Sequence, residues 1–418
     1  MWGPLDLDKW SAGRVTSLVQ VMDSVQSIID QVYKEGDEAL IRLAKEFDKT
    51  DLKSLRVSER ELDKAEKALD PGVRKALLSA KRNIERFHRL QLRRASWSKE
   101  VQPGITLGVK VTPLRRIGAY IPGGRASYPS TALMCVVPAK VAGVKEVVCL
   151  TPPPANPLTL AALRIAGADE VHLSGGAQAI AAMAFGTKSI AKVQKVVGPG
   201  NVYVTAAKIA LKGAVEIDFP AGPSEIVILA DSSAVPEYIA ADILAQAEHD
   251  PRSPTALVTT DASLPAKVKM ELDRQATFSS RGEILGKSME NTGYLVCRSL
   301  EEGIGIVNSL APEHLSIQCR NAVRAMGRIE NAGSVFLGPY SPVACGDYAS
   351  GPNHVLPTAG YATTYSGLDV WHFCKRTAFQ KLDKKGLKAL DETVETLAGV
   401  EGLDAHARSV SIRLRGSK

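Results

Sequence analysis

The spacing of apolar residues changes along the chain and separates helical regions from α/β regions. From Ser17 to about Leu92, apolar residues such as Ile28, Ile29 and Val32 recur at three- and four-residue intervals, with charges between them. This is the period of one buried helix face, so we expect a helical entry region. After Pro103 short apolar runs end in glycine or proline and lead into small-residue helices, which is typical of α/β proteins.

Three segments in the middle of the chain each predict a strand, a turn and a helix. The strands are Glu146–Leu150, Glu170–Leu173 and Lys195–Val197, and the last two run into Gly175-Gly176 and Gly198-Pro-Gly200. Such turns meet at the carboxyl edge of a parallel sheet, where backbone N–H groups can bind a dinucleotide. Neither glycine pair matches G-x-G-x-x-G, so tight turns without a ligand stay an alternative.

A second α/β stretch follows, and the chain ends in helices. Its predicted elements are strands at 225–230, 255–259, 294–297, 315–318 and 334–337, and helices at 235–248 and 264–278. From about Lys381 the pattern is helical again, and Leu387, Leu390, Val394 and Leu397 form one apolar stripe. This stripe packs either on its own core or on that of a partner.

Composition narrows the class of protein. A chain of 418 residues with 45% hydrophobic content can form two or more domains. The net charge of +7 is dispersed among acidic residues and aromatics are only 5%, so we expect no nucleic-acid partner. No eighteen-residue segment lacks charges, which predicts no membrane span. Six cysteines without C-x-x-C spacing favour reduced thiols and a cytoplasmic protein.

Four residues form a candidate metal set. Gln246 and His249 are three residues apart in a predicted helix, so we expect them on one face. With Asp347 and His406 they supply an amide oxygen, two imidazoles and a carboxylate, a mixed set that suits zinc. The residues alone leave an alternative, in which Asp347 only caps a turn and His406 is a surface helix residue.

Glu313 and His314 are candidates for proton transfer. They are adjacent in a predicted loop, which Pro312 helps to position, and a histidine near neutral pKa is a natural general base. The loop that ends in Ser224 is either a binding loop or an ordinary crossover. Cys345 is either a nucleophile in a loop or a core residue.

Eight segments together resemble the histidinol dehydrogenase family. They are Gly118–Gly124, Gly175–Ile180, Gly198–Asn201, Pro220–Glu225, Gln246–His249, Pro312–Leu315, Gly333–Gly338 and Gly346–Gly351. They follow the family's order at close to its spacing, and the likeness spans nearly the whole chain.

The resemblance implies an NAD-dependent, four-electron oxidation of L-histidinol through L-histidinaldehyde to L-histidine, the last step of histidine biosynthesis. It implies one zinc ion per active site, with Gln246, His249, Asp347 and His406 as ligands. His314 would accept the alcohol proton, and Glu313 would activate water on the aldehyde. The implied substrate-binding residues are Ser224, Gln246, His249, His314, Asp347, His354, Glu401 and His406, and the implied NAD contacts are Tyr120, Gln178 and Asn201.

The family fold implies two incomplete Rossmann-like parallel-sheet domains with helical N- and C-terminal extensions. We expect residues 1–20 to form the N-terminal extension, 21–115 with 225–370 the first α/β domain, and 116–224 the NAD-contacting domain. Residues 371–418 would be a helical segment exchanged in a homodimer, so that Glu401 and His406 complete the partner's active site.

Three other functions are compatible with parts of the sequence. The nearest is a related zinc- and NAD-dependent dehydrogenase that acts on another small diol. A thiol-dependent aldehyde dehydrogenase would use Cys345 and be indifferent to chelators. A nucleotide-binding protein without turnover would leave the Glu313-His314 pair and the metal-type ligands unexplained.

Overall fold

The computed structural model describes residues 2–14, 18–92, 95–123, 127–279 and 281–415. Ser17, at the start of the predicted helical region, and Gly124, in the first family segment, lie outside these ranges. The chain divides into a first unit, Met1–Arg89 with Arg115–Phe373, and a second unit, Leu90–Leu114 with Cys374–Lys418.

Helices and strands are numbered here in chain order over the described residues. The helices are α1 Leu7–Arg14, α2 Val19–Glu35, α3 Asp37–Phe47, α4 Glu59–Lys67, α5 Pro71–Gln91, α6 Pro129–Ala142, α7 Pro157–Ala166, α8 Gly176–Phe185, α9 Val202–Ala210, α10 Pro236–Ala247, α11 Leu264–Ala276, α12 Gly282–Ser288, α13 Leu300–Leu310, α14 Ala322–Met326, α15 Val343–Tyr348, α16 Lys384–Val400 and α17 Asp404–Arg415. The strands are β1 Trp97–Gln102, β2 Ile105–Pro113, β3 Arg116–Tyr120, β4 Glu146–Thr151, β5 Glu170–Leu173, β6 Lys195–Val197, β7 Glu216–Ile217, β8 Ile226–Ala230, β9 Thr255–Thr259, β10 Thr292–Val296, β11 His314–Gln318, β12 Ser334–Leu337 and β13 Cys374–Leu382.

The first unit contains two parallel five-stranded sheets with the same strand order. One, the 116–217 sheet, has the order β5-β4-β3-β6-β7, and the other, the 226–337 sheet, has the order β10-β9-β8-β11-β12. In each sheet the chain first adds two strands on one side of its first strand, β3 or β8, and then adds two on the other side. The same change of direction occurs in a nucleotide-binding Rossmann half. Every residue of β8, β9 and β11 is buried, because helices cover both faces of a parallel sheet. The predicted fold class, two Rossmann-like sheets, is confirmed.

The buried face of helix α2 packs against the 116–217 sheet layer. The apolar face of α2, which carries Val25, Ile28 and Val32, shares one hydrophobic core with Val148 and Ile180 of the 116–217 sheet layer. The helical period identified this face, but it contained no information about which sheet the face would cover. The division of the chain into folding domains stays a prediction.

The second unit contains a strand that the sequence analysis did not predict. Strand β13 pairs antiparallel with β2 along its whole length, and β1 lies on the other side of β2. All residues of β13 are exposed or half-buried. It therefore lacks the alternation of buried and exposed positions that predicts a strand. The predicted terminal helices follow as α16 and α17.

Over the described ranges, none of the helices combines the length and apolar character needed to cross a membrane.

Candidate active site

A cavity of about 630 Å³ in the first unit brings together most of the predicted site residues. Those that line it are Tyr120, Asn201, Ser224, His249, Glu313, His314, Asp347 and His354. Gln246 and Gln178 are buried. Glu401 and His406 belong to the second unit, where both are exposed.

Glu313 lies in the turn between α13 and β11, and its carboxylate is almost fully buried. Ala311, at the start of this turn, has a left-handed backbone with φ of 46°. Glu313 Oε2 accepts hydrogen bonds from Ser224 Oγ at 2.5 Å and from the Glu225 backbone N–H at 2.9 Å. Burial raises the pKa of Glu313, although His314 and the Ser224 hydroxyl act in the opposite direction. A carboxylate with a raised pKa is suited to accept a proton near neutral pH.

His314 is the first residue of β11, not a loop residue, and its ring is oriented by the backbone of Glu225. Its Nδ1 lies 3.1 Å from the Glu225 carbonyl oxygen, which can only accept, so we assign the ring hydrogen to Nδ1. Nε2 is left as the basic nitrogen and lies 3.6 Å from Asp347 Oδ1. Burial by itself would lower the pKa of His314, but the Glu313 and Asp347 carboxylates outweigh it and raise the pKa to about 9.

His249 does not share a helix face with Gln246, so this detail of the prediction is wrong. Helix α10 ends at Ala247, and His249 lies beyond the cap residue Glu248. Pro251 disfavours helical backbone at Asp250, so the helix could not continue past His249. Gln246 Nε2 nevertheless donates to Ser224 Oγ at 2.8 Å, and the imidazole of His249 reaches the cavity. Although that ring is exposed to solvent, the surrounding cavity walls lower its pKa by desolvation, which favours a neutral imidazole.

Asp347 lies near the end of the short helix α15. Burial acts to raise its pKa, but His314, His354 and His249 outweigh burial and lower it, so the carboxylate is ionised. The Asp347 backbone oxygen lies 2.8 Å from His354 Nδ1, and Thr131 Oγ1 lies 3.4 Å from His354 Nε2. These contacts orient His354 toward the cavity.

The structure also corrects the prediction for Cys345. It lies in α15, and its side chain is exposed instead of packed in the core. It is not among the described residues that line the cavity. Four other cysteines, Cys135, Cys149, Cys297 and Cys319, are buried as free thiols.

The residues predicted to contact NAD lie at the carboxyl edge of the 116–217 sheet. The hydroxyl of Tyr120, at the end of β3, accepts a hydrogen bond from the Gly176 backbone N–H at 3.2 Å. Burial raises the pKa of Tyr120 to about 12, so the phenol is neutral. Asn201 caps α9 by accepting from the Tyr203 and Val204 N–H groups. Gln178 is buried in the first turn of α8.

A buried ion pair that the sequence analysis missed holds the Gly198 turn. Lys208 is paired with Asp218, and both side chains are buried. Asp218 Oδ2 accepts from the Gly198 N–H at 2.8 Å, and Lys208 Nζ donates to the Gly198 carbonyl at 3.1 Å. Asp218 belongs to the loop that the sequence analysis identified, but nothing in the sequence connects it with Lys208.

Three residues of the first unit have the donor chemistry that zinc prefers. Because the Gln246 amide nitrogen donates to Ser224, the amide oxygen is the end left for a ligand. His249 adds a neutral imidazole and Asp347 an ionised carboxylate. Zinc binds such nitrogen and oxygen donors, so these residues fit the metal chemically. A group of three or more His, Cys, Asp or Glu side chains placed for a metal is not found within the described ranges. Gln246 is not of these types, and His406 lies in the second unit.

Comparisons with known proteins agree on one family. The family model for histidinol dehydrogenase matches residues 12–414. Histidinol dehydrogenases of Methanosarcina mazei and Methanosarcina barkeri are each 50% identical over 404 residues, which cover 96% of this chain and 93% of each relative. A crystal structure of histidinol dehydrogenase from Elizabethkingia anophelis has a TM-score of 0.94 at 39% identity and covers 99% of this chain and 97% of that chain. The chain therefore belongs to the histidinol dehydrogenase family of oxidoreductases.

Proposed function

We propose that this enzyme oxidises L-histidinol to L-histidine in two successive NAD-dependent steps at one zinc-containing site. The observation that carries the proposal is the contact of His314 with both Glu313 and Asp347 at the cavity, each at 3.6 Å. This places two groups suited to proton transfer beside a carboxylate suited to a metal.

Gln246, His249 and Asp347 would hold zinc together with His406 of the partner subunit. Zinc, when bound, would act as a Lewis acid that anchors nitrogen atoms of the substrate. His354 and Ser224 line the same cavity and would contact the substrate there.

In the first step the neutral form of His314 accepts the proton of the substrate hydroxyl at Nε2. Because the pKa of His314 is about 9, the share of this form, and with it the rate of the step, should increase as the pH rises toward 9. The carbon that carries the hydroxyl then loses a hydride to the nicotinamide of NAD+, and L-histidinaldehyde forms with NADH. The Glu225 carbonyl keeps the hydrogen on Nδ1, so that Nε2 is the nitrogen available as a base.

In the second step Glu313 accepts a proton from the water that adds to the aldehyde carbon. The resulting hydrate loses a second hydride to a second NAD+ and becomes the carboxylate of L-histidine. The two steps together consume one water and two NAD+ and release two NADH and three protons. Burial of Glu313 supports its role, because a raised pKa makes this carboxylate a stronger base.

NAD would bind at the carboxyl edge of the 116–217 sheet, where Tyr120 and Asn201 line the cavity. The strand order reverses between β3 and β6, and ligands of parallel α/β sheets bind at such switch points. Gln178, in the first turn of α8, is the third proposed contact.

We also propose a cytoplasmic homodimer in which the second unit of one chain completes the site of the other. Glu401 and His406 would contact the substrate and zinc of the partner's site. The second unit exposes large apolar side chains that a partner can cover, among them Leu397, Val400 and Ile412. Six free cysteines are typical of a protein in a reducing compartment.

The test is NADH formation from L-histidinol by enzyme as purified, after chelation and after zinc return. We expect two NADH per histidinol, loss of activity with the chelator and recovery with zinc. The matched control is Cys345→Ser, which should keep full activity. Loss of activity in this variant together with indifference to the chelator would support the thiol mechanism instead. NADH from another small diol but none from histidinol would support the related dehydrogenase.

A further inference from the structure

A buried arginine from the N-terminal helix contacts the turn between α13 and β11, which carries Glu313. Trp10 and Arg14 are four residues apart on α1 and so lie on the same face. Trp10 belongs to the hydrophobic core beside the 226–337 sheet, and the Arg14 guanidinium lies 4.6 Å from the centre of its ring. The core contact of Trp10 therefore anchors the helix that presents Arg14.

One nitrogen of Arg14 connects both ends of the turn between α13 and β11. Arg14 Nη1 donates to the carbonyl of Leu310 at 2.8 Å and to Glu225 Oε1 at 3.0 Å. The same Glu225 oxygen accepts from the backbone N–H of Glu313 at 3.3 Å. Ala311 lies between these ends in its left-handed conformation, which is unfavourable for a non-glycine residue. Arg14 and Glu225 thus hold a strained turn at its first and last residues.

Glu225 also contacts both catalytic residues through its backbone. Its N–H donates to the Glu313 carboxylate at 2.9 Å, and its carbonyl accepts from His314 Nδ1 at 3.1 Å. A displacement of Glu225 would therefore move the Glu313 carboxylate and release the His314 ring together.

We propose that Arg14 is a positioning residue that acts through Glu225 to hold Glu313 and His314 in their reactive arrangement. Arg14 is not among the described residues that line the cavity, so it acts without touching the substrate. The side chains of Arg14 and Glu225 are only 6% and 0% exposed. Removal of one partner leaves the other charge buried and uncompensated, whereas removal of both does not.

The experiment compares Arg14→Met, Glu225→Gln and the double variant in the zinc-loaded enzyme. Using the proposed function as readout, we expect each single change to lower kcat roughly 10- to 100-fold for both histidinol and histidinaldehyde, because small displacements of catalytic groups have effects of this size. KM for histidinol should change by less than about threefold, since the pocket wall is intact. The double variant should lose much less than the product of the two single losses.

Arg14→Lys and Arg164→Met serve as controls. Arg14→Lys keeps the cation and should recover part of the lost kcat, and it replaces Arg14→Met if that variant does not fold. Arg164 pairs with Glu59 and Asp63 at the surface, so Arg164→Met should leave kcat unchanged. Multiplicative losses in the double variant, or a folded Arg14→Met enzyme with normal kcat, would overturn the proposal.

A readout without turnover separates this proposal from the proposed reaction. The imidazole ¹⁵N signals of His314, assigned with a His314→Asn variant, report whether Nδ1 carries the hydrogen that Glu225 accepts. We expect Arg14→Met to change these signals even if the wild-type enzyme does not oxidise histidinol. Unchanged signals in folded Arg14→Met would contradict the positioning role whatever the substrate.

Discussion

Ser224 connects a proposed zinc ligand to a proposed base through one hydroxyl group. Its Oγ accepts from Gln246 Nε2 and donates to Glu313 Oε2. The hydroxyl therefore orients the Gln246 amide with its oxygen free and supplies Glu313 with one of its two hydrogen bonds. A single side chain thus couples the proposed zinc ligand to the proposed base.

Ser224→Ala should slow the oxidation of histidinaldehyde more than that of histidinol. The change removes a donor that lowers the pKa of Glu313, so burial raises that pKa further and less of the base is ionised. A hydrogen bond to a charged group contributes about 1.5–3 kcal/mol, which corresponds to roughly a 10- to 100-fold loss. Single-turnover NADH formation from each substrate measures the two steps separately. Ser233→Ala, at an exposed serine, is the control, and equal losses in both steps would contradict the assigned role of Glu313.

Asp242 predicts a pH dependence of stability that is independent of catalysis. It is buried in α10, and desolvation raises its pKa to about 6, above roughly 3.9 in an unfolded chain. The folded state therefore prefers the protonated carboxyl, and the resulting stability is present at low pH and is lost as the pH rises through about 6. Asp242→Asn should raise the free energy of unfolding at pH 8 by about 1–3 kcal/mol, and by much less at pH 4.

Urea denaturation of the metal-free protein at both pH values measures this difference. Glu237→Gln on the exposed side of the same helix is the control and should change the free energy by less than about 0.5 kcal/mol. A gain that is equal at pH 4 and pH 8 would show that deprotonation of Asp242 is not the cause.

At the scale of elements, the two sheets contribute opposite edges to the cavity. Tyr120 is the last residue of β3 and Gly198 directly follows β6, so both lie at the carboxyl edge of the 116–217 sheet, as parallel α/β sheets predict for a nucleotide. Glu225 and Glu313 directly precede β8 and β11 and lie at the amino edge of the 226–337 sheet. The proposed proton-transfer groups thus come from the edge that does not usually bind ligands. The sequence motifs located these residues, but strand patterns alone would have indicated the other edge.

Gly198→Ala should damage the turn at the switch point of the 116–217 sheet. Gly198 has φ of 111°, and an added Cβ would lie 2.2 Å from the Tyr120 carbonyl oxygen. This oxygen belongs to the backbone and cannot move away without strain, so we expect the free energy of unfolding to fall by about 2 kcal/mol or more. KM for NAD should rise at least roughly tenfold, because the turn carries Asn201. Gly213→Ala, with no heavy atom within 4 Å of its Cβ, is the control and should leave both quantities nearly unchanged.

The sequence predicted those elements and residues whose signal is local. Buried strands such as Thr255–Thr259 were predicted at their observed bounds, because all five side chains are buried between helices. The end of α10 was predicted within one residue, at 248 against Ala247, but the three-residue spacing of Gln246 and His249 wrongly suggested that both lie on the helix. The pairing of Arg14 with Glu225 spans 211 residues and depends on how α1 packs, so no local pattern contains it.

At the scale of the whole molecule, the second unit has little core of its own. Within its described residues only Ile105, Ala398 and Val410 are buried hydrophobic side chains. Leu397, Val400 and Ile412 are 58%, 80% and 59% exposed. Small units rarely leave such apolar surface in water. We therefore expect the helices α16 and α17 to be covered by a second copy of the chain in solution.

Subunit mixing tests whether this contact completes the active site. His406→Ala removes a proposed zinc ligand, and Glu313→Gln/His314→Ala removes both proposed bases, so each homodimer should be inactive. If His406 acts on the partner's site, each mixed dimer has one intact site and one doubly defective site. Random mixing of equal amounts makes half the dimers mixed, so about a quarter of wild-type activity should return.

The mixture is refolded together, and activity is measured on dimers isolated by gel filtration. Wild-type chains that carry two different affinity tags, refolded together and recovered on both tags in turn, control for subunit exchange. If each chain instead used its own His406, both sites of every mixed dimer would carry a defect. Exchange without any recovered activity would therefore contradict the shared site while leaving the assignments of Glu313 and His314 intact.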